Sequence, residues 1–353
     1  MHVQSTQRGR ASPSQRRSPK VSGPALVQPS SEDVDESIAF LALSGIKGVG
    51  YWTLFKLRQK SPSFAAILNE GSEARVRALL RAAGAQLDGA GQVKWHLARA
   101  AILKRAREVH DKLKCMGAQI IHRGLPGYPL ALHDLPDAPY WLFVQGNVKV
   151  LHKPALTIVG TRNPTSDGLW LTQFVGGCLH QLKCPTVSGL AAGIDQVIHR
   201  ASLRAGVPTV AVLGNGIFND YPKGSEQLRA EIVAKGGAVV SEYLPNQGSS
   251  AENFVRRNRL QAALGCALVP TEWAVKSGTA RTVKYSADLG RPIACLRMPD
   301  WDEARVPFEA VSSESKALFT MPGDEQKFRQ FLRKALRSGK SRTGSQPDLF
   351  NGK

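Results

Sequence analysis

Acidic residues are scarce in this chain: 28 Asp and Glu stand against 47 Lys and Arg in 353 residues, a net charge of +19. An excess of that size points to a polyanionic partner, nucleic acid being the commonest, with a merely solubilising basic tail as the plain alternative. Cysteine is sparse too. Cys115, Cys178, Cys184, Cys266 and Cys295 form no CxxC pair, which argues against zinc ribbons and disulfide frameworks and for reduced thiols of a cytosolic protein. No stretch approaches the roughly eighteen uninterrupted apolar residues of a membrane span, and the N-terminus lacks a hydrophobic signal core, so a cytoplasmic protein without membrane contact is expected. Nucleotide signatures are missing as well. Gly214-Asn215-Gly216 is not GxGxxG, and neither GxxxxGK[ST] nor a GxSxG elbow occurs, so no cofactor is expected.

What is present centres on residues 156–296. LTIVGTRNPTSDG at 156–168 is an apolar strand, a polar turn from Gly160 and a helix start. The pattern repeats: CPTVSG (184–189), PTVAVLG (208–214), AVVSEY (238–243), CALVPTE (266–272) and PIACL (292–296) alternate with amphipathic helical segments. Short apolar strands without alternating polarity, separated by helices, predict an α/β, Rossmann-like, doubly wound and mostly parallel sheet of six strands.

Around that unit the chain divides as follows. Residues 1–36, rich in Ser, Pro, Gln and Arg, read as a disordered basic tail. Residues 37–115 read as a small helical domain. Its GIKGVG turn at 45–50 resembles a helix-hairpin-helix, or else is a packing corner between helices. Residues 116–298 form the Rossmann-like domain, whose lead-in segments AQII and YWLFVQG extend the sheet at one edge. Residues 299–340 read as an irregular segment followed by one amphipathic helix, and 341–353 as a flexible tail.

In such sheets ligands meet the carboxyl ends of the strands, where helix N-termini and free backbone groups converge. The residues there are Gly160 to Arg162, Ser188 to Asp195, Gly214 to Lys223, Glu242, Tyr243, Glu272 and Ser277, Gly278 and Thr279. Their Gly, Ser, Thr and basic character suits phosphate better than an apolar ligand. Asp195 and His199, at i and i+4, read as structural hydrogen-bonding groups, because no third metal ligand has suitable spacing.

Seven segments stand in family order: GYPLALHDLPDAPYWLFVQGN, TIVGTR, VSGLAAGIDQVIHRASL, TVAVLGNGIFNDYPK, SEY, NFVRRNR and KSGTARTVKYSADLGRP. Through them the chain resembles the DNA-processing protein A family (DprA, also called Smf) over about residues 120–297. The resemblance implies a non-catalytic, single-stranded DNA binding protein of DNA uptake and recombination, which protects strands, loads the RecA recombinase and forms dimers. Carried over by position, the implied DNA contacts are Arg162, Ser188, Gly189, Lys223, Arg257 and Arg259. The residue chemistry is compatible. Arg162 and Lys223 would give charge-assisted phosphate contacts, with the amides of Thr161 and Gly189 as neutral donors. Arg162 could instead clamp Glu242 or Glu272. Tyr221 and Phe254 are candidates for base stacking or for core anchors.

The chain departs from the family where Val269-Pro270-Thr271-Glu272-Trp273 replaces an apolar strand ending in Glu-Ala, and where no C-terminal winged helix follows. Gln346, Leu349 and Phe350 in QPDLF resemble the peptide by which bacterial proteins dock on the sliding clamp. The rival function is a sensor or hydrolase of a small nucleotide derivative. Ser188, Gly189, Glu272 and the Ser277-Gly278-Thr279 turn would suit such a ligand, although KSGT lacks the PGGxGT turn of the nucleotide-cleaving families.

Overall fold

The computed structural model describes residues 31–344 apart from 71, 88–94, 125–126 and 303–304. The readings on residues 1–30 and on Gln346, Leu349 and Phe350 lie outside that range. Helices α1 (Ser31–Ser44), α2 (Tyr51–Lys60), α3 (Phe64–Leu68), α4 (Glu73–Ala82) and α5 (Trp95–Cys115) come first. The first helix starts at Ser31, inside the segment expected to be disordered. Its acidic first turn, Glu32 and Asp33, suits the positive end of the helix dipole, and Glu36 accepts from Phe64 N (2.9 Å) and Ala65 N (3.0 Å) to close the start of α3. The GIKGVG corner packs: Gly48 has φ +86°, a Cβ there would overlap the Gln86 backbone, and Gln86 N donates to Gly48 O at 3.3 Å.

The sheet contains, among the described residues, nine strands in the order β1-β2-β6-β5-β4-β3-β7-β8-β9. They are β1 (Ala118–His122), β2 (Trp141–Gly146), β3 (Leu156–Val159), β4 (Thr186–Ser188), β5 (Thr209–Val212), β6 (Ala238–Ser241), β7 (Ala267–Pro270), β8 (Ile293–Arg297) and β9 (Lys316–Thr320). Between them lie α6 (Ser166–Leu182), α7 (Ile194–Arg204), α8 (Glu226–Ala234), α9 (Ala251–Leu264) and α10 (Gly278–Asp288), and α11 (Glu325–Gly344) follows. Strands β3 to β9 run parallel, while β1 and β2 add an antiparallel ribbon at the β6 edge, as the lead-in implies. One strand departs from expectation. The segment from 299 is expected to be irregular, yet KALFT forms β9, which pairs parallel with β8 from Ile293↔Lys316 to Arg297↔Thr320. Its five residues follow a non-helical connection rather than a helix, so the strand and helix rhythm gives no cue.

Buried Phe40, Leu43, Leu54, Phe64 and Leu80 of the helices share one core with Trp141 and Phe143 of β2. Phe40 lies 4.6 Å from the Trp141 ring centroid, and each such side chain stabilises the folded state by about 2–3 kcal/mol through burial. Towards the opposite, β9 edge of the sheet, α11 seals a second core through Phe328, Leu332, Ala335 and Leu336. None of the five cysteines is in a disulfide, and Cys178, Cys184 and Cys295 are buried.

Two buried histidines make stability pH-dependent. His122 bonds Ser37 Oγ at 3.1 Å and His199 bonds Thr209 Oγ1 at 2.7 Å, while His122 Nδ1 and His199 Nε2 have no partner. Burial lowers both pKa values, aided by Arg58 and Arg257 respectively, to about 4 for His122 and about 3 for His199. The unfolded chain protonates near 6.5. Between pH 6.5 and about 4 it therefore binds protons that the folded state refuses, and stability should fall with pH by up to about 1.4 kcal/mol per unit for each histidine. Urea unfolding across that window should show a shallower acid limb for His122→Gln. An unchanged limb would contradict the assignment.

Candidate nucleic-acid interface

The order of strands reverses between β3 and β7, which is where an open parallel sheet offers its crevice. Here that crevice is filled. Glu272, just after β7, accepts from Thr165 N (2.9 Å) and Thr165 Oγ1 (2.8 Å) at the start of α6, and its backbone O takes Thr161 N at 2.8 Å. From the segment after β8, Arg305 reaches Asp167 (3.2 Å) and approaches Glu272 (4.0 Å), and Trp301 Nε1 donates to Asp167 at 2.8 Å. A carboxylate thus occupies the helix start where a small phosphorylated ligand would bind, which weighs against the sensor or hydrolase reading.

The glycine turns are likewise stitched together internally. Ile194 N donates to Thr161 O at 3.1 Å, and Gly193, at φ +79°, leaves room for the Thr161 and Arg162 carbonyls. Ser188 Oγ donates to Ile158 O at 2.7 Å, and Gly189 N donates to Asp195 Oδ2 at 3.1 Å. Thr279 Oγ1 donates to Gly160 O (2.9 Å), and Ser277 caps α10 by accepting from Ala280 N (3.2 Å). The amides of Thr161 and Gly189, expected as donors to phosphate, are therefore already engaged. Ser188 and Gly189 are buried, whereas Gly278 is exposed beside Lys276.

Two of the four expected phosphate-binding cations are buried. Arg257 is 3% exposed beneath Gly189, where a Cβ would overlap its guanidinium; Nη1 donates to Val212 O at 2.5 Å, and Asp195 is its charge partner. Burial lowers the Arg257 pKa to about 10 and raises that of Asp195. Arg259 is 2% exposed and bonds Glu242 with both terminal nitrogens, at 2.7 and 2.8 Å, and Asp137 through Nε at 2.8 Å. Burial opposes the charge of Arg259, but Glu242 and Asp137 together outweigh it and raise the pKa. Glu242 therefore pairs with Arg259, and Glu272 is held by Thr165. The clamp considered for Arg162 is absent among the described residues. Asp195 and His199 are structural, each bonded to a different partner rather than to one another.

What faces solvent is narrower than the sequence suggests. Arg162, in the turn after β3, is exposed, with its guanidinium 5.3 Å from the Phe254 ring centroid. Phe254, in the first turn of α9, lies over Gly214, which has no side chain to displace it, and meets the Tyr221 ring at 4.9 Å and 35°. Lys223, exposed, stands two residues beyond Tyr221 in a loop fastened by Asp220, which accepts from Ser225 N (3.1 Å) and Ser225 Oγ (2.8 Å). The face thus reads cation, ring, ring, cation. Guanidinium and ammonium groups suit phosphate, and partly exposed rings suit unpaired bases. Among the described residues no group of three or more His, Cys, Asp or Glu could hold a metal, and no helix is long and apolar enough to cross a membrane.

Comparison with known proteins identifies a family and a shared fold. A family model described as DNA recombination-mediator protein A matches residues 119–318. Protein Smf of Synechocystis is 37% identical over 184 residues, 51% of this chain and 46% of its own length. The chain spans about half the length of the curated relatives it matches first. Among solved structures, DNA processing protein A of Streptococcus pneumoniae superposes with a TM-score of 0.58 at 24% identity, covering 83% of this chain and 97% of its own. The Helicobacter pylori protein, whose structure concerns a unique single-stranded DNA binding mode, gives 0.53 at 23%, covering 62% and 96%. At these identities both share the fold.

Proposed function

Because the chain belongs to the DNA recombination-mediator protein A family, we propose that it binds single-stranded DNA without turning it over, along the exposed face formed by Arg162, Phe254, Tyr221 and Lys223. The observation that carries the proposal is the pair of partly exposed rings flanked by two exposed cations at the carboxyl edge of the sheet. Phosphates supply sequence-independent affinity, and the rings select strands whose bases are unpaired. The described binding mode of the Helicobacter pylori protein supports the same ligand class. The role we assign is in DNA uptake and recombination, with self-association and delivery of the bound strand to RecA following from the family resemblance.

The test is fluorescence anisotropy with a labelled single strand and its duplex over a salt series. Wild type should prefer the single strand. The Arg162→Ala/Lys223→Ala double variant should bind at least about tenfold more weakly at low salt, and its salt slope should be shallower by about 1–1.5, the share of two phosphates on a single strand. The preformed complex should also nucleate RecA filaments faster than bare DNA does, and sedimentation reads self-association. Equal affinity for both DNAs, untouched by the two substitutions, would refute the groove.

A further inference from the structure

The groove uses one flank of the first turn of α9. On the other flank, the Arg256 guanidinium lies 4.1 Å from the Tyr51 ring centroid and 4.2 Å from that of Trp52. Trp52 is 52% exposed, yet its ring is held: Tyr51 meets it edge-on at 5.3 Å and Phe55 at 5.7 Å. Arg256 is held in turn between Asp137 and Glu242, both 3.9 Å away, and its buried Nε and Nη2 have no hydrogen-bond partner. The ring row continues from Phe55 to Tyr140 at 4.9 Å and ends under the Arg123 guanidinium at 5.5 Å. Val255, 37% exposed, lies between the two flanks.

We infer that Trp52 is a second base-stacking platform, which carries the strand from the sheet edge across the start of α9 onto the helical unit. The inference rests on the single-stranded DNA reading above. With one ring face covered by a fixed guanidinium, the exposed remainder is a preorganised surface for a flat partner, and it loses little freedom on binding. The rim favours a polyanion. Exposed Lys56 and half-buried Arg123 flank the rings, while the nearby acids Asp137 and Glu242 are already matched by Arg256 and Arg259. A duplex keeps its base faces stacked and offers this platform nothing.

The experiment compares single strands of about 6 and about 20 nucleotides, with the duplex as control, for wild type, Trp52→Ala, Trp52→Phe and the Arg162→Ala/Lys223→Ala variant. Trp52→Ala should bind the short strand and the duplex as wild type does and the long strand about tenfold more weakly, with Trp52→Phe keeping most of the affinity. Melting should stay unchanged, since the ring is half exposed. If Trp52→Ala matches wild type on long strands, the platform is overturned, whatever the groove variant does. It is overturned equally if the substitution alters only sedimentation, because the surface would then belong to a second copy of the chain. Failure of the groove shows separately, as normal binding by the Arg162→Ala/Lys223→Ala variant.

Discussion

Arg259→Ala should destabilise the protein by about 3–5 kcal/mol, the cost of leaving a buried carboxylate without its cation. Glu242 is fully buried, and it is also the point where the helices meet the sheet. Tyr51 Oη donates to its carboxylate at 3.2 Å, and Trp141 Nε1 donates to its backbone O at 2.9 Å. Removing Arg259 strands a charge there, with Arg256 at 3.9 Å as the remaining cation. Urea unfolding measures the loss. An apolar replacement of the pair, Arg259→Met with Glu242→Leu, should recover most of it, because the buried pair itself gains little over well-packed hydrocarbon. A single-variant loss below about 1 kcal/mol would mean that water reaches the Glu242 carboxylate.

Arg257→Ala is expected to cost about 3 kcal/mol, while single-stranded DNA affinity stays within about threefold of wild type at a temperature where both remain folded. The arginine fills the space beneath Gly189, donates to Val212 O and neutralises Asp195, which is 6% exposed. Its removal leaves a carbonyl and a carboxylate uncompensated. Asp195→Asn in the Arg257→Ala background should restore part of the stability, so the two effects are not additive. Affinity lost at unchanged stability would put Arg257 in the groove after all.

Both substitutions fall on the arginines of RRNR that family position alone marks as DNA contacts. On a helix the residues of Phe254-Val255-Arg256-Arg257-Asn258-Arg259 point in turn to the groove, to solvent, to the Trp52 flank and to the core. Nothing in the string says which arginine goes where, since that depends on the strands beneath and on the position of Glu242. Charge and spacing identify Arg162 and Lys223 near the strand ends, the resemblance adds Arg257 and Arg259, and packing leaves the first two facing solvent and buries the other two. The turn amides follow the same course. Gly160, Gly189 and Gly193 suggest close approaches for a ligand, but the groups that approach them belong to the protein: Ile194 and the Glu272 carbonyl at Gly160, Arg257 at Gly189, and the Thr161 and Arg162 carbonyls at Gly193. Trp52 leaves no trace because YWTLFKLRQ reads as an ordinary amphipathic helix, and its exposure arises only when Tyr51 and Arg256 hold the ring outward.

The sequence by itself determined the alternation of strand and helix from Leu156 to Arg297 and the added ribbon at one edge, because hydrophobic periodicity and glycine punctuation are local properties that any parallel sheet must display, while the seven ordered segments carried the family. Tertiary structure alone decided the ninth strand, the carboxylate in the crevice and the sorting of the arginines. Each depends on which distant segment supplies the partner, Lys316–Thr320 beside β8, Glu272 above α6, Glu242 under α9, and burial makes an unpartnered charge too costly for any other arrangement.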